Sequence, residues 1–302
     1  MSESLPAPTL ASFLRESCAC ELERALRLLG DATGERDAAV HEGRKSLRRV
    51  RAWLRLCSPT QRLELAPIDS ALRAVRRTLG PLRDARTRIE ALDRLRKRRD
   101  LGELRPWLKD ARKLLTEALA ARWRRRPRHG RAYARMLTSL TALARNVADW
   151  PLENFSLKHA ERSLQRSFVR ARVARRECAG RTGAVVRHEW RGRVRILVLQ
   201  CQFLEAFGVV QGFGELKDLG QALGEEHDLA VVSRELGRLG LPMEARSGLR
   251  AYLSRHRLSL VERNDRSARQ SLRRSKAPKL RRARPPKIKP ASAFAPIENA
   301  EQ

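Results

Sequence analysis

Apolar residues recur along this chain every three to four positions, the spacing of a helix that buries one face. In the segment 40–57 they step by 3, 4, 3, 4 and 3 positions, at Val40, Gly43, Leu47, Val50, Leu54 and Cys57. No segment alternates convincingly with the period of two that is typical of a strand. Residues that break helices interrupt the pattern at 58–59, 80–81, 102, 127–130, 149–151, 180–183, 208–214 and 240–242. The pattern predicts an all-α fold of antiparallel helices with short connections.

Two short motifs occur twice. A histidine followed by arginines three and seven positions later stands at His41 and again at His188, 147 residues further on. A Leu-Gly-x-x-x-Asp element ends at Asp84 and again at Asp228, 144 residues further on. Two markers repeated at nearly one offset indicate an internal duplication. We therefore expect two copies of one helical unit, with their boundary near Trp150 and Pro151.

The predicted organisation has three parts. Residues 1–150 form the first bundle, residues 151–265 the second, and residues 266–302 a disordered basic tail. The tail is rich in Pro, Ala, Arg and Lys and contains no acidic residue before Glu298. Such a segment adds affinity for any polyanion, nucleic acid included, without selecting among them.

The net charge narrows the possible partners. The 302 residues include 65 Lys and Arg against 34 Asp and Glu, a net charge of +31. Charge of that size favours a partner of high negative charge density, such as DNA, RNA, an anionic membrane or a phosphate polymer. Aromatic residues make up 5% of the chain, which argues against proteins that stack single-stranded bases on exposed rings.

The cellular location of the protein and the redox state of its cysteines can be predicted from the sequence. No apolar run approaches the roughly 18 residues of a membrane-spanning helix, and the first residues do not resemble a signal peptide. The five cysteines are odd in number and most occupy apolar helix positions, so we expect reduced thiols in a cytoplasmic protein. Cys18 and Cys20 could form half of a metal site, but no second Cys or His pair is near, and we expect no metal or cofactor.

The first motif segment carries a row of cations beside its apolar positions. Residues 40–57 contain one acidic residue, Glu42. Arginines three to four positions apart place a positive charge every ~5–6 Å along one helix face. Guanidinium groups bind phosphate oxygens in pairs and stay protonated, and a histidine at the edge can also donate to phosphate. The candidate binding residues here are His41, Arg44, Lys45, Arg48, Arg49, Arg51 and Arg55.

The pattern H-x-x-R-x-x-x-R-R-x-R followed by L-G-x-x-x-D resembles the CHAD family, the conserved histidine α-helical domain. The resemblance covers roughly residues 10–265, and the first copy matches in full. The second copy departs from the family at Ile196 and Val198, where further basic residues are usual. Its matching basic residues are His188, Arg191 and Arg195, with Arg193 in addition.

The resemblance implies two pseudo-symmetric antiparallel four-helix bundles. It also implies that their basic surface binds inorganic polyphosphate and that the module has no catalytic activity of its own. We expect a cytoplasmic protein that is recruited to polyphosphate granules; sequestration of the polymer and regulation of another protein are the alternatives. Because its motif is incomplete, the second half either binds more weakly or depends on neighbouring basic residues. Further candidate residues for the polyphosphate site are Arg73, Arg166, Arg170 and Lys217. For Asp84 and Asp228 we favour helix caps or ion pairs over catalysis, and we interpret Gly80 and Gly224 as helix ends.

Several alternatives remain at this level. An isolated cationic row is usually a solvated helix face, but the duplication argues for binding. Non-specific nucleic-acid binding is the main rival, although no helix-turn-helix, aromatic RNA motif or zinc ligand set is evident. A fused triphosphatase or cyclase domain would require strands bearing clustered glutamates, and neither is seen. Attachment to a granule or membrane surface would depend on the tail alone.

Overall fold

The computed structural model describes residues 9–31, 36–125, 130–272 and Leu280. These residues form eleven α-helices and two short 3-10 segments, with no strand in the described ranges, which confirms the all-α prediction. The α-helices are α1 (Leu10–Gly30), α2 (Arg36–Leu54), α3 (Pro59–Glu64), α4 (Ala66–Thr78), α5 (Gly80–Arg96), α6 (Arg105–Arg125), α7 (Arg131–Arg145), α8 (Leu157–Cys178), α9 (Ala184–Ala206), α10 (Gly214–Leu236) and α11 (Met243–Ser271). The 3-10 segments are Gly102–Leu104 and Asn146–Asp149.

The predicted breaks coincide with helix boundaries for local reasons. Ser58 caps α3 through its hydroxyl, while the Gln61 side chain accepts from the Ser58 backbone N–H, and Pro59 follows in the first turn. Gly180 adopts a φ of 69° in the turn between α8 and α9, a conformation that favours glycine. Of the break predicted at 127–130, only Gly130, which precedes α7, lies in the described residues.

The second half follows the expected four-helix order, in which α8 packs on α9, α9 on α10 and α10 on α11. The first half has more elements. There, α2 contacts α1, α4 and α5, α5 contacts α6, and α7 packs against α1 and α4. Gly80 and Pro81 begin a new helix, so α4 and α5 together occupy the place that the uninterrupted α10 takes in the second half. The halves meet where α2 contacts α9 and α5 contacts α10.

Both halves contribute to one hydrophobic core. The ring of Phe203 on α9 lies 5.4 Å from Phe13 on α1 and 5.3 Å from Trp53 on α2. The connection between the halves is itself buried, with Trp150 and Leu152 at 2% and 0% exposure. The boundary near residue 150 therefore separates two parts of one packed unit.

Two other predictions can be compared with the described chain. Cys18, Cys57, Cys178 and Cys201 are buried and all five thiols are free, as expected for core cysteines. Helix α11 continues to Ser271, so residues 266–271 are helical and the predicted start of the tail at 266 lies inside a helix. The helix continues because Ala268 is buried against the core. Residues 273–279 and 281–302 of the predicted tail lie outside the described residues.

In the described part of the chain, no helix combines the length and apolar character needed to cross a membrane.

Candidate anion-binding surface

The cationic row of α2 lies where α2 meets α4 and α9. Arg44, Arg48 and Arg51 are four and three residues apart, so their side chains share one helix face. Burial lowers the pKa of the Arg48 guanidinium well below its usual value, and four neighbouring arginines lower it further. We call this group the central arginine cluster; its members are Arg44, Arg48, Arg76, Arg191 and Arg195.

The positive charges of the central arginine cluster repel one another. Burial, followed by the charges of Arg44 and Arg51, lowers the pKa of Arg76 to about 10. At neutral pH a guanidinium with that pKa is still protonated, so Arg76 remains cationic. Several positive charges held together at a partly buried position favour binding of an anion, because an anion removes the repulsion among them.

Glycines make room for two of these arginines. A Cβ atom on Gly80 would lie 3.6 Å from Nη1 of Arg44, and one on Gly224 would lie 4.0 Å from Nη2 of Arg191. The two glycines belong to the repeated Leu-Gly-x-x-x-Asp elements, and the two arginines to the repeated histidine motifs. Gly80 begins α5, but Gly224 lies inside α10, so its prediction as a helix end is wrong. The two glycines share one property: each lies next to the guanidinium group of a motif arginine.

Beyond the cluster the row continues toward α4, where one carboxylate joins two arginines. Arg51 Nε donates to Asp69 Oδ1 at 2.6 Å, and Arg73 Nε lies 3.3 Å from Asp69 Oδ2. Burial opposes ionisation of Asp69, but the hydrogen bond from Arg51 and the nearby arginine charges hold its pKa below the ordinary value. Asp69 therefore neutralises part of this end and fixes the Arg51 side chain.

A groove extends the surface from α2 across α8 and α9. Burial lowers the pKa of Arg55, as do the charges of Arg51, Arg193 and Arg170, while Asp69 acts in the opposite direction. The groove is lined by Arg55, Arg62, Ser163, Arg166, Ser167, Arg170, Arg193 and Ile196. The structure thus places Arg166 and Arg170 beside Arg193 of the second motif, next to Ile196, where the family pattern expects a basic residue.

At the opposite end of the surface, two histidines stack. The rings of His188 on α9 and His227 on α10 are 4.6 Å apart, with 3.3 Å between their Nδ1 atoms. Burial lowers the pKa of His227 to about 3, and the charges of Arg191, His188, Arg195 and Arg234 contribute. Burial and the same arginines also lower the pKa of His188, while Asp84 opposes them. Both rings are therefore neutral at pH 7 in the absence of a bound anion.

Some predicted residues are engaged elsewhere. Arg49 Nη1 donates to Oε1 of the buried Glu21 at 2.6 Å, so this arginine points toward α1. Lys45 Nζ and His41 Nε2 lie 3.3 and 3.5 Å from Glu42 Oε1. Glu42 is the one acid within 40–57, and Glu21 of α1 and Asp69 of α4 supply further acidic partners to the α2 row.

Lys217 also lies apart from the central arginine cluster. Burial raises the pKa of Glu205 near the end of α9, and Lys217 at the start of α10 lowers it in part. Of the two repeated aspartates, Asp228 takes part in an ion pair, one of the two roles favoured above. Asp228 forms an ion pair of 2.6 Å with Arg94 of α5, and Asp84 exerts its charge on His188.

Four charged or titratable residues of this surface were not predicted from the sequence: Arg62, Arg76, His227 and Arg234. Arg76 could have been found, because Asp69, Arg73, Arg76 and Gly80 step by 4, 3 and 4 positions toward the repeated glycine. His227 stands inside the second Leu-Gly-x-x-x-Asp element. Arg62 and Arg234 reach the surface only through tertiary packing, and no local pattern marks them.

Comparison with known proteins agrees with this architecture. The structure is similar to the crystal structure of the CHAD domain from the plant Ricinus communis, with a TM-score of 0.61 and 20% identity, covering 91% of this chain and 95% of that chain. It is also similar to PptA from Streptomyces chartreusis, with a TM-score of 0.59 and 18% identity, covering 88% of this chain and 98% of that chain. At these identities the likeness shows the fold alone.

No curated protein matched the sequence. The family model described as the CHAD domain matches residues 20–237, well over half of the chain and including both histidine motifs. The chain therefore belongs to the CHAD domain family.

Proposed function

We propose that this protein binds inorganic polyphosphate along the surface formed by α2, α4, α8, α9 and α10, without catalysing a reaction. The observation that carries the proposal is the environment of Arg48, whose strongest electrostatic neighbours are four other arginines from three helices. A cluster of this kind is costly in the free protein and becomes favourable once a polyanion lies across it.

The arrangement suits an extended, flexible chain of phosphates. From Arg44 to Arg51 the row on α2 rises about 10 Å at 1.5 Å per residue, and Arg55 follows directly after the end of the helix. The groove at Arg166 and Arg170 continues it on one side, and Arg191 with Arg234 on the other. A flexible chain can follow such a bent path, whereas a stiff duplex touches it at fewer points.

Binding without catalysis is supported by the roles of the nearby acids. Asp69 and Asp228 are held in ion pairs with Arg51 and Arg94. These carboxylates neutralise and orient cations, so neither is placed as a free acid or base. In the cell, we propose that binding recruits the protein to cytoplasmic polyphosphate granules.

The proposal is tested by competition. The full chain is bound to labelled long-chain polyphosphate and challenged with duplex DNA and RNA at matched phosphate and physiological salt. We expect unlabelled polyphosphate to compete best. Arg48→Ala should weaken binding by tenfold or more, since loss of a charged hydrogen bond costs ~1.5–3 kcal/mol. Arg195→Ala should cost less, because Val198 leaves the second motif with fewer cations.

Arg135→Ala is the matched control, since Arg135 is exposed on α7 away from this surface. Equal competition by duplex DNA would replace polyphosphate with nucleic acid as the partner. Unchanged affinity in Arg48→Ala would remove the central arginine cluster from the site.

A further inference from the structure

A second basic cleft lies between the ends of α8 and α11. It is open to solvent on one side, holds a volume of about 450 Å³ and is lined by Arg172, Arg175, Arg176, Arg269, Gln270 and Leu272. The volume falls within the range of ligand sites, about 300–1,000 Å³. None of these residues belongs to the predicted polyphosphate surface.

The cleft and that surface lie on different sides of α8. Each residue of a helix turns the side chain by about 100°, so Arg172, Arg175 and Arg176 share one side. Arg166 and Arg170 lie on the other, and the buried positions Ala171 and Ala174 separate the two sides. The cleft arginines and the groove arginines therefore point in different directions from α8.

The cleft has the chemistry of an anion site. In the described part of the chain, no ion pair joins Arg175, Arg176 or Arg269 to a carboxylate. The arginines come from two helices and face one concavity, next to the buried side chain of Leu272. Cationic groups around a cleft with an apolar wall concentrate their field inside it, and guanidinium groups bind phosphate oxygens in pairs.

We infer that this cleft is a second binding site, for a compact anion that carries several phosphate groups. Such an anion is either a free short oligophosphate or one stretch of a long chain that also lies on the central arginine cluster. The choice of phosphate rests on the proposed function, while the location of the site rests on the cleft itself.

The experiment uses the full chain and tripolyphosphate at physiological salt, with calorimetric stoichiometry and hydrogen–deuterium exchange as readouts. We expect protection of residues 172–178 and 265–272. The double variant Arg175→Glu with Arg269→Glu should lose this protection and bind one tripolyphosphate fewer per chain. Arg135→Glu with Arg255→Glu removes the same charge from exposed positions elsewhere and should leave the protection unchanged. Absence of protection in the wild-type protein, or an equal loss in both double variants, would overturn the inference.

Two further measurements distinguish a free oligophosphate from a long polyphosphate chain, and the cleft from the central arginine cluster. If the cleft binds part of a long chain, the Arg175 and Arg269 variant weakens long-chain polyphosphate; if it binds a free oligophosphate, only tripolyphosphate binding changes. Combining Arg48→Ala with Arg195→Ala should leave protection of the cleft intact. Cleft protection that persists while long-chain polyphosphate fails to bind the central arginine cluster would refute the proposed function and leave the second site standing.

Discussion

Trp53 of α2 and Gln200 of α9 are equivalent residues, and each donates a hydrogen bond to a backbone carbonyl of the other helix. The indole Nε1 of Trp53 donates to the carbonyl oxygen of Leu199 at 3.2 Å, and Nε2 of Gln200 donates to the carbonyl oxygen of Ala52 at 3.2 Å. Both pairs of equivalent positions are separated by 147 residues, the offset of the histidine motifs. The reciprocal bonds indicate a local two-fold axis between the helices, which supports the predicted duplication.

We expect Arg48 to destabilise the ligand-free protein although it strengthens polyphosphate binding. Its lowered pKa means that the folded state disfavours its charge. Arg48→Met keeps an unbranched apolar stem and removes that charge. We expect a higher melting temperature without ligand, by about 2–4 °C per kcal/mol gained, together with weaker polyphosphate binding. Thermal unfolding with and without polyphosphate measures both, and Arg135→Met is the control. A lower melting temperature in the absence of ligand would contradict the repulsion argument.

Two glycines inside helices should respond oppositely to the same substitution. A Cβ on Gly43 of α2 would lie 3.0–3.2 Å from three atoms of the Leu29 side chain, whereas one on Gly192 of α9 would meet nothing within 4 Å. Gly43→Ala should destabilise the protein, because overpacking costs ~1–3 kcal/mol and exceeds the gain in helix propensity. Gly192→Ala should stabilise it by up to about 1 kcal/mol. Denaturant unfolding of the two variants checks the signs.

The stability of the protein should depend on pH through His227. Its pKa is about 3 in the folded protein and about 6.5 in an unfolded chain. Between these values the unfolded state binds a proton that the folded state does not, so this contribution is complete above pH 6.5 and is lost as pH falls toward 3. His227→Asn should flatten the stability curve in that window by at most about 1.4 kcal/mol per pH unit. An unchanged slope would show that the ring protonates freely in the fold.

Polyphosphate binding should be accompanied by proton uptake at the histidine pair. The histidine pair lies among Arg191, Arg195 and Arg234, with Asp84 near His188. A bound polyanion offsets these cations and raises the pKa of both rings. Binding near pH 6 should therefore take up protons, and affinity should rise as pH falls. Calorimetry in two buffers of different ionisation enthalpy measures the uptake, which His227→Asn should reduce. Absence of uptake would place the phosphate chain away from the histidines.

The basic segment after Leu272 should contribute affinity without selectivity. Residues 273–302 contain a dense series of Arg and Lys that the sequence predicts to be disordered. Counterion release makes log K fall with log salt in proportion to the phosphates neutralised. Deleting the segment should flatten the salt dependence for polyphosphate and DNA alike and preserve the preference for polyphosphate. Loss of that preference would move recognition out of the helices.

Local sequence patterns predicted the helices and the repeated motif residues, because helical periodicity and motif spacing are local properties. They could not predict partners across the fold. Arg49 pairs with Glu21 of α1, and Arg94 of one half pairs with Asp228 of the other. The role of Gly224 was missed for the same reason, since only tertiary packing brings Arg191 over it.

Arg48 and Arg195, equivalent residues on α2 and α9, meet within the central arginine cluster. Arg44 and Arg191 form a second equivalent pair in the cluster, so these four arginines look nearly the same to a ligand that enters from either end. Inorganic polyphosphate has no chemical direction, so a segment can lie across them equally well both ways round. A single nucleic-acid strand runs from 5′ to 3′, and reversing it presents different sugar and base geometry to each half. The near-symmetry of these four arginines thus favours a directionless polymer.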